Sequence, residues 1–188
     1  MEETELKKYI LQTMGENPEN INFEDEEDSN LIKINRVYKN VLNSVFSKYR
    51  WSFATFKQEL KDQETSDLEM FKYSYLLPVD CIHIFNVYSN EKTINFKILN
   101  KKLYVNDNKP TIEYAKDIGS ENYPIYFIEY IKYKIAYELC YFLTGDNELL
   151  NMLYKQATEE YMVAVNTDSM TKKPSVINTS IFSGAKFI

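Results

Sequence analysis

The sequence predicts an α+β protein: mainly a helical bundle, with a small inserted antiparallel β-sheet module and an extended C-terminal arm. Three observations predict it. Residues 124–143 carry two apolar stripes at helical spacing, residues from about 70 to 116 turn β-branched and aromatic between turn residues, and periodicity is lost from residue 166. The expected division is one domain over 1–165, with the β-module inserted at about 70–116, and an arm over 166–188.

Residues 124–143 (PIYFIEYIKYKIAYELCYFL) organise the rest. At 100° per residue, Ile128, Ile131, Ile135, Leu139 and Phe142 form one stripe. Tyr126, Tyr130, Tyr133, Tyr137 and Tyr141 form a second, nearly opposite, with Glu129, Lys132, Lys134 and Glu138 on the flanks. A helix apolar on both faces is sandwiched between two layers. The second layer is either the rest of the same domain or a neighbouring subunit, because a tyrosine face buries ring area while leaving hydroxyls for partners.

A first short helix is predicted over 3–14 from Leu6, Tyr9, Ile10 and Met14, ended by Gly15 and Pro18. The acidic run Glu24, Asp25, Glu26, Glu27, Asp28 follows. It reads as a solvated loop ahead of a helix N-terminus, or as a surface facing a basic partner or a DNA channel. Asp28, Ser29 or Asn30 caps a second helix over 31–49, whose stripe is Ile34, Tyr38, Val41, Val45 and Tyr49. Trp51, Phe53 and Phe56 cluster after it, with a short helix over 54–61 and a polar loop over 61–67.

In the β-module, residues 81–88 read as a strand, and 96–99 with 102–105 as a hairpin turning at Asn100 and Lys101 without the usual glycine. Residues 111–115 add another strand. Pro124 fits the first position of the central helix, and residues 144–147 stop it and cap a last helix over 147–165. A four-residue connection makes these two helices antiparallel neighbours. The arm is rich in Ser, Thr and Asn yet carries Val176, Ile177, Ile181, Phe182, Phe187 and Ile188. It reads as a segment ordered on another surface rather than a frayed terminus.

Composition narrows function. The 44% hydrophobic and 15% aromatic content indicates a folded chain, and a net charge of −6 gives no global attraction for phosphate. Cys81 and Cys140 read as two buried free thiols. No apolar run reaches the roughly 18 residues of a membrane span, and no signal peptide precedes the first helix, so the chain reads as folding inside a cell. His83, the single histidine, reads as structural, on a strand with one face towards the sheet interior. Asp80, Asp107 and Glu113 have no spacing that supports a metal nuclease, and Asp80 and Asp107 fit turn chemistry. No catalytic, cofactor-binding or metal residue is assigned, and the chain is expected not to be an enzyme.

The ordered features resemble the tail tubular protein A family of podovirus-type phages, the adaptor between portal and tail. The carriers are M-G-E-N-P (14–18) after the opening helix, R-W-S-F (50–53) after the second, and Y-L-L-P-V-D (75–80) before the hydrophobic strand. A hairpin, I-E-Y (112–114), then Tyr123 and Pro124 before a long helix complete the order, over roughly residues 5–165. Each motif is short, and their order and spacing carry the resemblance. The tyrosine-rich central helix and the arm depart from the pattern.

The resemblance implies a head–tail connector, a non-enzymatic virion protein made in the host cytoplasm. It implies a homo-oligomeric, dodecameric ring that meets the portal protein and other tail proteins and passes genomic DNA without sequence-specific binding, with no membrane partner and no cofactor. Candidate subunit or portal contacts are Tyr126, Tyr130, Tyr133, Tyr137, Ile181, Phe182, Phe187 and Ile188. The acidic run 24–28 is the candidate channel-facing or portal-facing element. The rival readings are an acidic regulatory binder, such as a DNA mimic or host-protein inhibitor, and an enzyme with a carboxylate metal site.

Overall fold

A computed structural model describes residues 1–171 of the chain. Its helices are α1 (Glu3–Thr13), α2 (Ser29–Lys48), α3 (Ile125–Leu143) and α4 (Asn147–Thr171). Between α2 and α3 lie eight strands: β1 (Thr55–Glu59), β2 (Gln63–Thr65), β3 (Tyr73–Leu76), β4 (His83–Ser89), β5 (Lys92–Thr93), β6 (Lys97–Leu99), β7 (Lys102–Val105) and β8 (Thr111–Ala115).

The α+β class holds, but the expected architecture does not. The strands make two four-stranded antiparallel sheets, ordered β1-β8-β4-β5 and β2-β3-β7-β6, not one small sheet inserted in a mainly helical bundle. Ile84, Val87, Ile112 and Tyr114 of the first sheet meet Tyr75, Leu103 and Val105 of the second in a core separate from the helical one. The module begins at residue 55, not 70. The stretch expected as a helix over 54–61 is β1, paired in register from Thr55↔Ala115 to Glu59↔Thr111. Phe56 and Leu60 enter the sheet core at strand spacing, and Tyr114 donates its hydroxyl to Gln58 Oε1 at 3.1 Å. The expected loop over 61–67 contains β2, an edge strand exposed throughout, so no apolar alternation marks it.

Both tight hairpins turn without glycine. Asn100 and Lys101 have φ of 49° and 60°, and Asn90 and Glu91 between β4 and β5 have 48° and 64°. Positive φ at both central residues matches the right-handed strand twist. β4 carries a bulge between Ile84 and Asn86. The extra residue, Phe85, packs against the helical core while Ile84 and Val87 stay in the sheet core.

α3 is the layer between the other helices. α1 and α2 contact it on one side and α4 packs along it on the other. Phe127 is a hub whose ring lies 5.3 Å from Phe46, 5.0 Å from Trp51, 4.8 Å from Phe53 and 5.1 Å from Tyr123. Trp51 is buried there, and its indole N–H donates to the Val45 carbonyl at 3.2 Å.

The helix ends follow local chemistry. Asp28 caps α2, Gly15 stops α1 at φ 79°, and Asp146 accepts from the N–H groups of Glu148 and Leu149 to start α4. Pro124 sits one residue before the first helical position, at the N-cap of α3. α4 runs six residues beyond its expected end, so residues 166–171 are helix rather than arm.

Candidate functional site

α4 of the same chain covers the tyrosine face of α3. The Tyr126 hydroxyl donates to Asp168 Oδ1 at 3.0 Å, the Tyr130 ring lies 5.2 Å from Tyr161, and Tyr137 lies 5.6 Å from Tyr154. Tyr133 instead takes the Lys132 ammonium over its ring at 4.6 Å. Lys132 is itself buried, ion-paired to Glu129 at 2.5 Å and donating to the Tyr9 hydroxyl at 2.8 Å. The intrachain layer therefore occupies most of this face, and its outer rim is Tyr154 and Tyr161 of α4, both exposed. Tyr141 at the end of α3 is exposed beside Phe142. Burial, then the Asp168 hydrogen bond, pushes the Tyr126 phenol up to about 12. Burial, then Tyr161, does the same for Tyr130, to about 12.

Asp168 is the site residue that sequence reasoning missed. It is fully buried, and its carboxylate accepts the Ser52 backbone N–H at 2.9 Å and the Ser52 hydroxyl at 2.6 Å besides Tyr126. The signal is spacing: Ala157, Tyr161, Ala164 and Asp168 fall on one helical stripe, which carries the helix past the expected boundary at residue 165.

The acidic run is a surface loop. Asn22 and Asp25 side chains turn it by accepting from the N–H groups of Glu24 and Glu27. Glu24, Asp25, Glu26 and Glu27 are exposed and have no ion-pair partner among the described residues. Asp28 is distinct. Backbone N–H groups of Leu31 and Asn30 hold its carboxyl below the usual range, as befits an anion at a helix N-terminus. The candidate contacts Ile181, Phe182, Phe187 and Ile188 lie outside the described residues.

The residues weighed for chemistry are not brought together. Asp80 pairs with Lys116 at 2.9 Å, and Glu113 accepts from Asn86, Tyr88 and Arg50 on the first sheet. Asp107 stays in the turn after β7. No group of three or more His, Cys, Asp or Glu among the described residues is placed to hold a metal. His83 is exposed at the start of β4, with its ring 5.1 Å from Phe85, rather than inside the sheet. Both cysteines are free. Cys81 lines an open cleft of about 850 Å³ between α1, α2 and the segment after β3, but burial pushes its thiol up to about 11, leaving little thiolate at neutral pH.

Among the described residues, large apolar side chains are exposed on several elements, Ile125, Tyr141 and Phe142 of α3 among them. Met152, Met162, Val163 and Met170 lie on the outward side of α4. Leu76, Val79, Ile98 and Leu99 lie at the end of the second sheet, around the β6–β7 hairpin. α4 flanks α3 on the side away from α1 and α2, whereas Val79 borders the cleft against α1 and α2. Among the described residues no helix is long and apolar enough to cross a membrane. Compared with known proteins, the chain matches no family model and no curated sequence.

Proposed function

We propose that the chain is a structural virion protein, a head–tail connector that forms a homo-oligomeric ring between the portal and the tail of a short-tailed phage. One observation carries the reading. Among the described residues, the subunit exposes apolar side chains on α4 and at the β6–β7 end of the second sheet, surfaces of unlike make-up on different elements. A closed ring built by rotation needs two unlike surfaces that complement each other, whereas a two-fold dimer needs one that complements itself. The net charge of −6 suits a wall along which DNA slides without being held. In this reading the protein works by burying interfaces rather than by catalysis.

A regulatory binder that mimics nucleic acid would spread carboxylates over one face. Here the exposed run is confined to one loop, which favours the connector. The test is the mass of the purified chain, alone and mixed with the portal of its own phage. A multi-subunit ring, or stoichiometric joining to the portal, supports the connector. A monomer that ignores the portal overturns it.

A further inference from the structure

We infer that the exposed face of α2 is a docking surface for the acidic loop of a second copy of this chain. The inference rests on the ring reading and adds to its apolar surfaces a charged contact between copies. α2 carries Lys33, Arg36, Lys39 and Lys48 and no acidic residue, in a chain that is acidic overall. Lys33, Arg36 and Lys39 are exposed and none has an ion-pair partner among the described residues; Lys33 and Arg36 border one groove, whereas Lys39, about 120° round the helix from Lys33, borders the cleft against α1. Beside them α2 and the end of α3 form a groove of about 330 Å³ lined by Lys33, Arg36, Val37, Val41, the exposed Phe142 and Glu138, whose carboxylate is paired with Lys134 at 2.7 Å.

The complement is on the same subunit. Glu24, Asp25, Glu26 and Glu27 are exposed and also lack a cationic partner among the described residues. Two turns, closed by the Asp25 N–H on the Asn22 carbonyl at 3.2 Å and the Asp28 N–H on the Asp25 carbonyl at 3.1 Å, hold residues 24–27 as a compact acidic loop. The loop leads directly into α2, whose N-cap is Asp28, and both charge sets lack partners in the monomer and pair when the loop of one copy meets α2 of another. A copy that gives its loop to one neighbour and its α2 to a second propagates the contact around a ring, whereas a two-fold exchange closes it as a dimer. Duplex DNA is the weaker occupant, because two cations beside a groove are a short stripe against a phosphate charge every 1.7 Å or so.

Charge reversal with complementation tests this on the full chain. Lys33→Glu/Arg36→Glu makes both surfaces acidic, and Glu24→Lys/Glu26→Lys strips the loop of its acidity. All four positions are exposed, and circular dichroism and the melting midpoint serve as the check on folding. Wild type should associate, roughly tenfold more weakly when salt is raised from 0.05 to 0.5 M, since salt screens exposed charges. Each variant alone should be monomeric in sedimentation, and an equimolar mixture should reassemble, because the acidic loop of the first variant meets the intact α2 of the second and the lysines in the second variant's loop meet the glutamates on the first variant's α2. A milder pair, Lys33→Gln/Arg36→Gln, should weaken association and flatten its salt dependence.

Variants that associate like wild type, a mixture that stays monomeric, or a wild type monomeric at every concentration would each overturn the inference. So would loss of binding to a 30-base-pair duplex by the α2 variant with association unchanged, which would assign the face to nucleic acid. Association insensitive to these changes sinks the docking surface alone, whereas failure to join the portal sinks the connector.

Discussion

Ser52 and Asp168 are 116 residues apart, yet the Ser52 hydroxyl donates to the Asp168 carboxylate at 2.6 Å and the Ser52 N–H at 2.9 Å. Tyr126 adds a third donor from the first turn of α3. One buried acid thus ties the turn after α2, the start of α3 and the far end of α4. Asp168→Ala removes the acceptor shared by three donors, and because Ser52 is exposed and Tyr126 half-buried these can turn to water, so the loss is about 1–2 kcal/mol. At about 2–4 °C per kcal/mol for a chain of this size, the melting midpoint should fall by roughly 2–8 °C. Tyr126→Phe, which removes one donor and strands little, should lower it by less. Equal losses in the two variants would show that Asp168 does not hold the cluster.

The glycine-free hairpins store local strain that substitution should release. Glu91 and Lys101 occupy left-handed backbone at φ 64° and 60°. That conformation costs a residue with a Cβ roughly 1–2 kcal/mol, offset in part by the larger unfolded-state entropy of glycine. Glu91→Gly and Lys101→Gly should each therefore stabilise by about 0.5–1 kcal/mol in urea unfolding. A destabilised Lys101→Gly would mean that its side chain supports the cleft edge.

These hairpins also show what sequence alone reveals. Asn100 and Lys101 between two apolar runs predict their turn, and Gly15, Asp28 and residues 144–147 predict helix ends, because each effect is local. β1 and β2 are not legible in the same way, because their identity is set by pairing with β8 and β3. Five residues of mixed polarity, TFKQE, are as compatible with a helix as with a strand until Phe56 and Leu60 find the second core. The tyrosine stripe is legible as a buried face, but what buries it is not, since periodicity shows that a surface is covered without naming the cover. Asp168 is hidden because a carboxylate on an apolar stripe looks like the end of the stripe.

Alkaline pH should unfold the protein through its tyrosines. Burial, then their neighbours, raises Tyr126 and Tyr130 to about 12, and burial raises Tyr38 and Tyr123 further. A folded value above the unfolded one, about 10, means the neutral phenols contribute stability that is complete below pH 10. It is lost as pH rises through about 12. The melting midpoint should therefore stay level to about pH 10 and then drop, while absorbance at 295 nm shows some tyrosines ionising only with unfolding. Ionisation of all tyrosines near pH 10, with the fold intact, contradicts the burial described.

Trp51 is the sole tryptophan and reports directly on the helical core. It is 1% exposed and packed against Tyr49, Phe53 and Phe127. Its emission should be blue-shifted and resist acrylamide quenching until the chain unfolds. Trp51→Ala removes the anchor and should destabilise by about 3–5 kcal/mol, whereas Trp51→Phe keeps most of the ring contacts and should lose less. Free quenching of Trp51 in the folded protein would place it elsewhere.

Truncation at two points separates the contribution of the α4 end from that of residues 172–188. The expected boundary at residue 165 falls inside α4. Removing residues 166–188 deletes Asp168 and with it the tie to Ser52 and Tyr126, as well as the Thr171 hydroxyl 3.0 Å from that of Ser52. Removing only residues 172–188 leaves all of these in place. The chain ending at Thr171 should melt within about 2 °C of the full protein, and the chain ending at Val165 roughly 4–10 °C lower, as expected for losing a buried hydrogen-bonded cluster. If residues 172–188 serve contacts between molecules, the Thr171-terminated chain keeps its melting curve and loses association or portal binding. A large fall in its melting midpoint would instead make those residues part of the subunit core.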